Sequence, residues 1–219
     1  MLKIIDVNVD RGGNCILQPS NHCFDFSKRY LFYGKMGAGK TTFFELVTGI
    51  EKPAVGDVLI DDISIYDSDF MDLSLSRKKL GVMFDLPGLI SNQNVFENIR
   101  LAIDSKKIQF TKPLDEILIQ KYLSVFNMEH VLYVRPGLLS IEQRRVVAFI
   151  RAIITNPKFL VLDGFSDFLN GPYSSAKIDF LDDLKRKSVG GLFFSKEKIL
   201  DNMFFDHCFE IRDGDFYEF

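Results

Sequence analysis

The sequence predicts an α/β fold with a mostly parallel core sheet and an inserted helical lobe. Three observations predict it. Short β-rich runs alternate with helical segments along 219 residues, the pattern that builds a sheet from strands joined by crossover helices. An apolar run from Tyr30 to Tyr33 leads into a glycine-rich loop, Gly34 to Thr41, and then into a helical stretch from Thr42 to Thr48. Residues from about 86 to 155 read as mostly helical and lie between two sheet-forming segments.

In chain order, the runs rich in β-branched and aromatic residues predict strands at Leu2–Val9, Arg29–Tyr33, Gly56–Ile60, Gly81–Phe84, Phe159–Leu162 and Gly191–Phe194. A closing pair follows at Cys208–Ile211 and Asp215–Glu218. Helices are expected to start near Lys40, Asn94, Pro113, Ser140, Ser174 and Lys196. Ser140 is placed as the N-cap of a helix of about 15 residues, and Gly171 with Pro172 punctuates the start of another. No internal repeat, low-complexity segment or linker interrupts the chain. The expectation is one domain over 1–219, its core at about 1–85 and 156–219 and its helical lobe at about 86–155.

Composition narrows the function classes. Charged residues are 26% and hydrophobic residues 47%, ordinary values for a globular protein large enough to bury a core. The net charge of −3 comes with no basic run, which argues against a nucleic-acid partner. Cys15, Cys23 and Cys208 are odd in number and lack paired spacing, so they read as reduced thiols. The first residues turn acidic at Asp6, which argues against a signal peptide. No apolar stretch approaches the ~18 residues that span a bilayer. A cytoplasmic protein is expected, with any membrane role supplied by a partner. The 22 Phe beside no Trp carry no functional meaning in the sequence.

Gly34, Lys35, Met36, Gly37, Ala38, Gly39, Lys40 and Thr41 match the phosphate-binding loop GxxxxGK[ST] at every fixed position. Glycines let successive backbone N–H groups turn toward a phosphate, and the following helix adds the positive end of its dipole at Thr41 and Thr42. Lys40 is the type of residue that reaches the terminal phosphates, and the Thr41 hydroxyl can ligate magnesium. Phe159 to Leu162 is an apolar strand ending in Asp163, a carboxylate placed to hold Mg²⁺ opposite Thr41. ATP with Mg²⁺ is the expected ligand of a P-loop NTPase.

Further motifs are collinear with these. Gly56 to Asp62, Leu80 to Asp85, Asn94 to Ile99, Leu139 to Gln143 with Val147, Ala148, Arg151 and Ala152, and Leu192 to Lys196 follow in order. With them the chain resembles the nucleotide-binding subunit of ATP-binding-cassette (ABC) transporters over essentially its whole length. The resemblance implies an antiparallel β subdomain containing Gly56–Asp62. It implies a glutamine-loop position at Asp85, a signature at Ser140, Ile141, Glu142 and Gln143, and a switch position at Lys196. It also implies a second ABC subunit and a transmembrane permease as partners, with the chain held at the inner face of the cell membrane. Ser91 to Ile99 and Asp163 to Asn170 look most like the subunits that drive bacterial envelope lipid transporters, which implies lipid cargo and an MCE-type lipid-binding partner.

The departures from that family fall on chemistry. Where the family places a glutamate that polarises the attacking water, this chain has Gly164; losing a positioned base typically costs ~10²–10⁴ in rate. The switch histidine is Lys196, the glutamine is Asp85, which could still bind Mg²⁺, and the D-loop aspartate is Asn170. The adenine-stacking aromatic falls at about Arg11. The signature glycines are Ile141 and Glu142. A Glu142 carboxylate opposed to a partner-bound triphosphate at ~5 Å and effective ε ≈ 20 would cost on the order of 3 kcal/mol. Both faces of a composite site are altered, so nucleotide binding is expected with slow or absent hydrolysis. Asp167 or Glu197, close in sequence to the lost groups, is the alternative source of a base. Leu86 to Ile90 is expected either to line the permease groove or to be a solvated loop. Two other readings compete. A non-hydrolysing scaffold or regulatory partner has no physical need for Lys40. A small-molecule kinase needs an arginine-lined lid, whereas Arg144, Arg145 and Arg151 fall on the signature helix.

Overall fold

The computed structural model describes residues 1–12, 14–67, 76–105, 112–199 and 204–219. Two sheets carry the fold. One is antiparallel, in the order β2–β1–β4–β5, from β1 (Leu2–Arg11), β2 (Asn14–Phe24), β4 (Val55–Ile60) and β5 (Ile63–Ser64). The other has the order β10–β9–β3–β8–β7–β6, from β3 (Arg29–Tyr33), β6 (Leu80–Met83), β7 (Phe159–Leu162), β8 (Gly191–Ser195), β9 (His207–Arg212) and β10 (Asp215–Glu218). Its five central strands run parallel, and only β10 is antiparallel, closing on β9 through a tight turn. The parallel strands read as continuous apolar runs because both faces are covered; every residue of β3, β7 and β8 is buried.

The α-helices that lie in full among the described residues are α1 (Lys40–Val47), α2 (Val95–Ser105), α3 (Lys112–Ser124), α4 (Ile141–Ile153), α5 (Phe165–Leu169) and α6 (Ser174–Arg186). Between β6 and β7, the described chain is helical and contributes α2, α3 and α4. Ser140 caps α4 through a capping box: its hydroxyl accepts the Gln143 N–H at 3.2 Å, and the Gln143 side chain accepts the Ser140 N–H at 2.9 Å.

Phenylalanine is the core-building residue, which accounts for its abundance. Alternation along β8 sends Phe193 to one face and Phe194 to the other. Phe194 joins Phe32 and Phe209 in a ladder across three adjacent strands, with centroids 5.5 and 5.0 Å from Phe32. Phe43 of α1 packs on that ladder, 5.0 Å from Phe32 and 5.6 Å from Phe194, so the helix behind the phosphate loop is bolted to the sheet. Phe193 packs on the opposite face against Phe165 at 4.7 Å, with Phe204 and Phe205 beside it. Each such pair adds about 0.5–1.5 kcal/mol beyond area burial.

Three expectations about elements need correction. The eleven-residue β2 is absent from the strands expected of the sequence; it forms by pairing along β1 with several register shifts. The short α5 was likewise not expected. No helix starts at Lys196: Lys196 and Glu197 form a bend in which the Ser195 hydroxyl accepts the Glu197 N–H at 3.2 Å. Residues 200–203, into which that helix would have run, lie outside the described residues.

Candidate nucleotide site

Four parallel strands end at one rim, and each delivers part of the site: β3 the loop from Gly34, β6 Asp85, β7 Asp163 and β8 Lys196. Ligand sites in open α/β sheets form at this carboxyl edge. The registers align the ends, with Tyr33 opposite Ser195 and Met83 opposite Leu162. The Asp163 N–H donates to the Met83 carbonyl at 2.9 Å, locking the two carboxylate-bearing turns together. The resulting cavity has a volume of about 720 Å³, and its walls include Ile16, Lys40, Thr41, Asp85, Asp163 and Lys196.

The loop is built for an anion. Gly39, at φ 103°, turns the chain into α1, and a Cβ there would press on the Ile16 carbonyl at 2.9 Å. The first turn of α1 carries no acidic residue and no side-chain cap, which leaves its N–H groups for a ligand. Gly34 and Gly39 are buried, while Lys35, Met36, Gly37 and Thr41 face solvent, Ala38 and Lys40 are half-buried, and Thr42 is buried at the base of the helix. Lys40 Nζ donates to the carbonyls of Gly34 at 2.6 Å and Lys35 at 2.7 Å. Burial pushes its ammonium below the ordinary lysine value, Asp163 pulls it back, and Lys196 adds to the fall.

Asp163 is pushed up to about 6, first by burial and then by the charge of Asp85, while the Gly164 N–H donated to it at 2.9 Å and the Lys40 ammonium work the other way. Two carboxylates and the Thr41 hydroxyl thus share a cavity whose burial disfavours the charged carboxylate at Asp163. Among the described residues no group of three or more His, Cys, Asp or Glu side chains could enclose a metal ion. The Asp163 carboxylate with the Thr41 hydroxyl instead suits Mg²⁺, which keeps several ligands for water and phosphate. These residues fit the expected ion.

The remaining site residues fall as follows. Gly164 caps α5 in the left-handed region at φ 63°, and a Cβ on it would overlap the Asp85 carboxylate, 2.7 Å from Cγ. Lys196 lines the cavity and is paired with Asp167 at 2.6 Å. Asp167 also lies 3.7 Å from Arg145, so the carboxylate offered as a replacement base is paired with two cations. The side chain of Arg11 lies outside the described residues.

The expectation for Glu142 is corrected. Its carboxylate does not stand bare at the start of α4; it turns inward to Arg145 at 2.8 Å and Lys177 at 3.1 Å. Lys177 has no exposed surface and also donates to the carbonyls of Phe168 at 2.5 Å and Asn170 at 3.2 Å. The charge is neutralised within this chain, so the repulsion of a facing triphosphate does not arise as calculated. Ile141 is exposed beside it, and Ser140 with Gln143 forms the capping box. Lys177 sits 35 residues from Glu142 in an unrelated helix, so no local pattern could reveal it. Ile16, Phe194 and Ser195 also line the cavity and were missed, Ile16 because β2 itself was.

The Leu86–Ile90 stretch is not a free loop. Arg151 donates to the carbonyls of Pro87 and Gly88, both at 3.0 Å. Buried Asn98 accepts the Ile90 N–H at 2.7 Å and donates to the Ile90 carbonyl at 3.1 Å. Leu86 nevertheless projects outward, 78% exposed. Among the described residues no helix is long and apolar enough to cross a membrane.

Comparison with known proteins follows this geometry. The chain is 31% identical over 161 residues to the methionine import ATP-binding protein MetN 3 of Pectobacterium atrosepticum, covering 72% of this chain and 46% of that protein. It is 28% identical over 154 residues to MetN of Helicobacter acinonychis, covering 70% and 46%. It is 29% identical over 170 residues to the glucose import ATP-binding protein GlcV of Saccharolobus solfataricus, covering 74% and 47%. The chain therefore spans about half the length of the curated relatives it matches. Among solved structures, the ATP-binding cassette MJ0796, in a dimeric post-hydrolysis state bound to ADP and Pi, superposes with a TM-score of 0.89 at 23% identity, covering 100% of this chain and 98% of that one. The cbiO1 protein of Clostridium perfringens, part of the cbiONQ transporter complex, gives 0.77 at 21% identity, covering 99% and 86%. At these identities the structural likeness is one of fold. A family profile described as ABC transporter matches residues 17–165, more than half of the chain, and with the P-loop rim already in place the conclusion is direct: this chain belongs to the ABC transporter family.

Proposed function

We propose that this chain is the ATP-binding subunit of a membrane transporter, a single nucleotide-binding unit over 1–219 that binds Mg-ATP and hydrolyses it slowly. The observation that carries the reading is the shared cavity of Lys40, Thr41 and Asp163 beneath an intact phosphate loop. Slow hydrolysis is supported by Gly164, which brings no carboxylate, and by Lys196, whose ammonium is spent on Asp167. In this reading a second ABC subunit completes the site through the start of α4, and a permease docks beside Leu86, which holds the chain at the membrane. The experiment is titration of purified protein with Mg-ATP, with Lys40→Ala as control, followed by phosphate release in the same sample. Binding lost in the variant supports the reading; equal binding by both, or by neither, sinks it and leaves a scaffold.

Lipid cargo, with an MCE-type lipid-binding partner, rests on the segments Ser91–Ile99 and Asp163–Asn170. The relatives named as methionine and glucose import proteins supply the competing cargo classes. Identification of the membrane protein that co-purifies with this chain separates them.

A further inference from the structure

The cavity contains one carboxylate, Asp85, that makes no hydrogen bond or ion pair among the described residues. Its lining residues include two acids, Asp85 and Asp163. Asp163 accepts the Gly164 N–H and faces Lys40, so it belongs to the cation side of the cavity. Lys196, the remaining charged wall residue besides Lys40, is paired with Asp167. Asp85 accepts no hydrogen bond and makes no ion pair among the described residues, and it is half-buried at the end of β6. Its position is coupled to Gly164: the carboxylate fills the space that a side chain on residue 164 would enter, with Cγ 2.7 Å and Cα 3.0 Å from an ideal Cβ there. Glycine at 164 and a short acid at 85 are thus two halves of one packing solution.

Resting on the proposed Mg-ATP site, we infer that Asp85 is the catalytic carboxylate for the residual ATP hydrolysis of this chain, orienting the attacking water and accepting its proton from a position that the absent side chain of Gly164 leaves open. The water oxygen forms a bond to the terminal phosphorus as the bond from that phosphorus to the bridging oxygen breaks. The bridging electrons leave with ADP, one water proton passes to Asp85, and the resulting phosphate keeps the other. Asp85 then returns its proton to solvent, so no further reactant is needed.

The test uses the full chain and three readouts: Mg-ATP affinity, phosphate release under saturating ATP, and thermal melting. Asp85→Asn is expected to bind Mg-ATP within about threefold of wild type and to release phosphate about 10²–10⁴-fold more slowly, the usual loss for a positioned base. Asp85→Glu, which keeps the acid, is expected to retain measurable release and covers the case of a poorly folded amide variant. Release unchanged in Asp85→Asn overturns the assignment. A fall in affinity that accounts for the fall in rate also overturns it, since Asp85 would then be a metal ligand alone. Wild-type release no higher than Lys40→Ala overturns it while leaving nucleotide binding intact, whereas loss of wild-type binding removes the underlying site itself. Melting tests the shared space independently of activity. Gly164→Ala is expected to lower Tm in the wild-type background and to cost less when Asp85 is replaced by Gly. An equal loss in both backgrounds overturns the coupling.

Discussion

Replacing Asp163 by Asn in the nucleotide-free protein separates electrostatic design from fold stability. Burial, reinforced by the Asp85 charge, pushes the Asp163 carboxyl from 3.8 up to about 6. The ionised form is therefore less favourable in the folded chain than in the unfolded one. Below pH 3.8 the group is protonated in both states and costs nothing. Between 3.8 and about 6 the folded state holds a proton that the unfolded state has released, so stability falls as pH rises. Above that window the cost is complete. A difference of about two pKa units corresponds to a ceiling of roughly 3 kcal/mol, and water reaching the cavity reduces it to about 1–3 kcal/mol. Asparagine keeps a carbonyl to accept the Gly164 N–H, now 2.9 Å from Oδ1, and removes the charge. Urea denaturation across roughly pH 4 to 8 should show Asp163→Asn more stable than wild type by about 1–3 kcal/mol near neutrality, converging with it near pH 4. Mg²⁺ should raise the wild-type midpoint and leave the variant unmoved. A variant less stable than wild type at neutral pH, or a gap that ignores pH, would refute the argument.

Two further outcomes follow from buried polar groups. Lys177→Met should destabilise the chain by about 3–5 kcal/mol in urea denaturation, the cost of breaking a buried pair, with Glu142→Gln recovering part of the loss in the double variant; a loss below about 1 kcal/mol would mean the pair is not formed in solution. Asn98→Ala removes the acceptor of the Ile90 N–H and the side-chain donor to the Gln93 carbonyl at 3.1 Å, and leaves the Ile90 and Asn94 carbonyls with only their backbone donors. It should cost about 2–4 kcal/mol by chemical denaturation and speed amide exchange at Ile90; unchanged exchange there would count against Asn98 as the anchor of this turn.

The loop Gly34–Thr41, the β7 acid Asp163 and the α4 cap at Ser140 were legible in the sequence because each is a local pattern: residue types at fixed spacing dictate backbone direction whatever surrounds them. Most of the parallel strands were legible for the same kind of reason, since doubly covered strands are continuous apolar runs. β2 was not, because its stability comes from pairing along β1 rather than from its own composition, and Ile16 was lost with it. Tertiary structure alone decided what the charges do. Glu142 reads as an exposed anion until Lys177 arrives from α6, Asp167 reads as unpaired until Lys196 and Arg145 are found beside it, and Gly164 reads as a simple loss until Asp85 is found in the space beside it. Charge and volume act through space, so their consequences belong to neighbours that chain order does not place together.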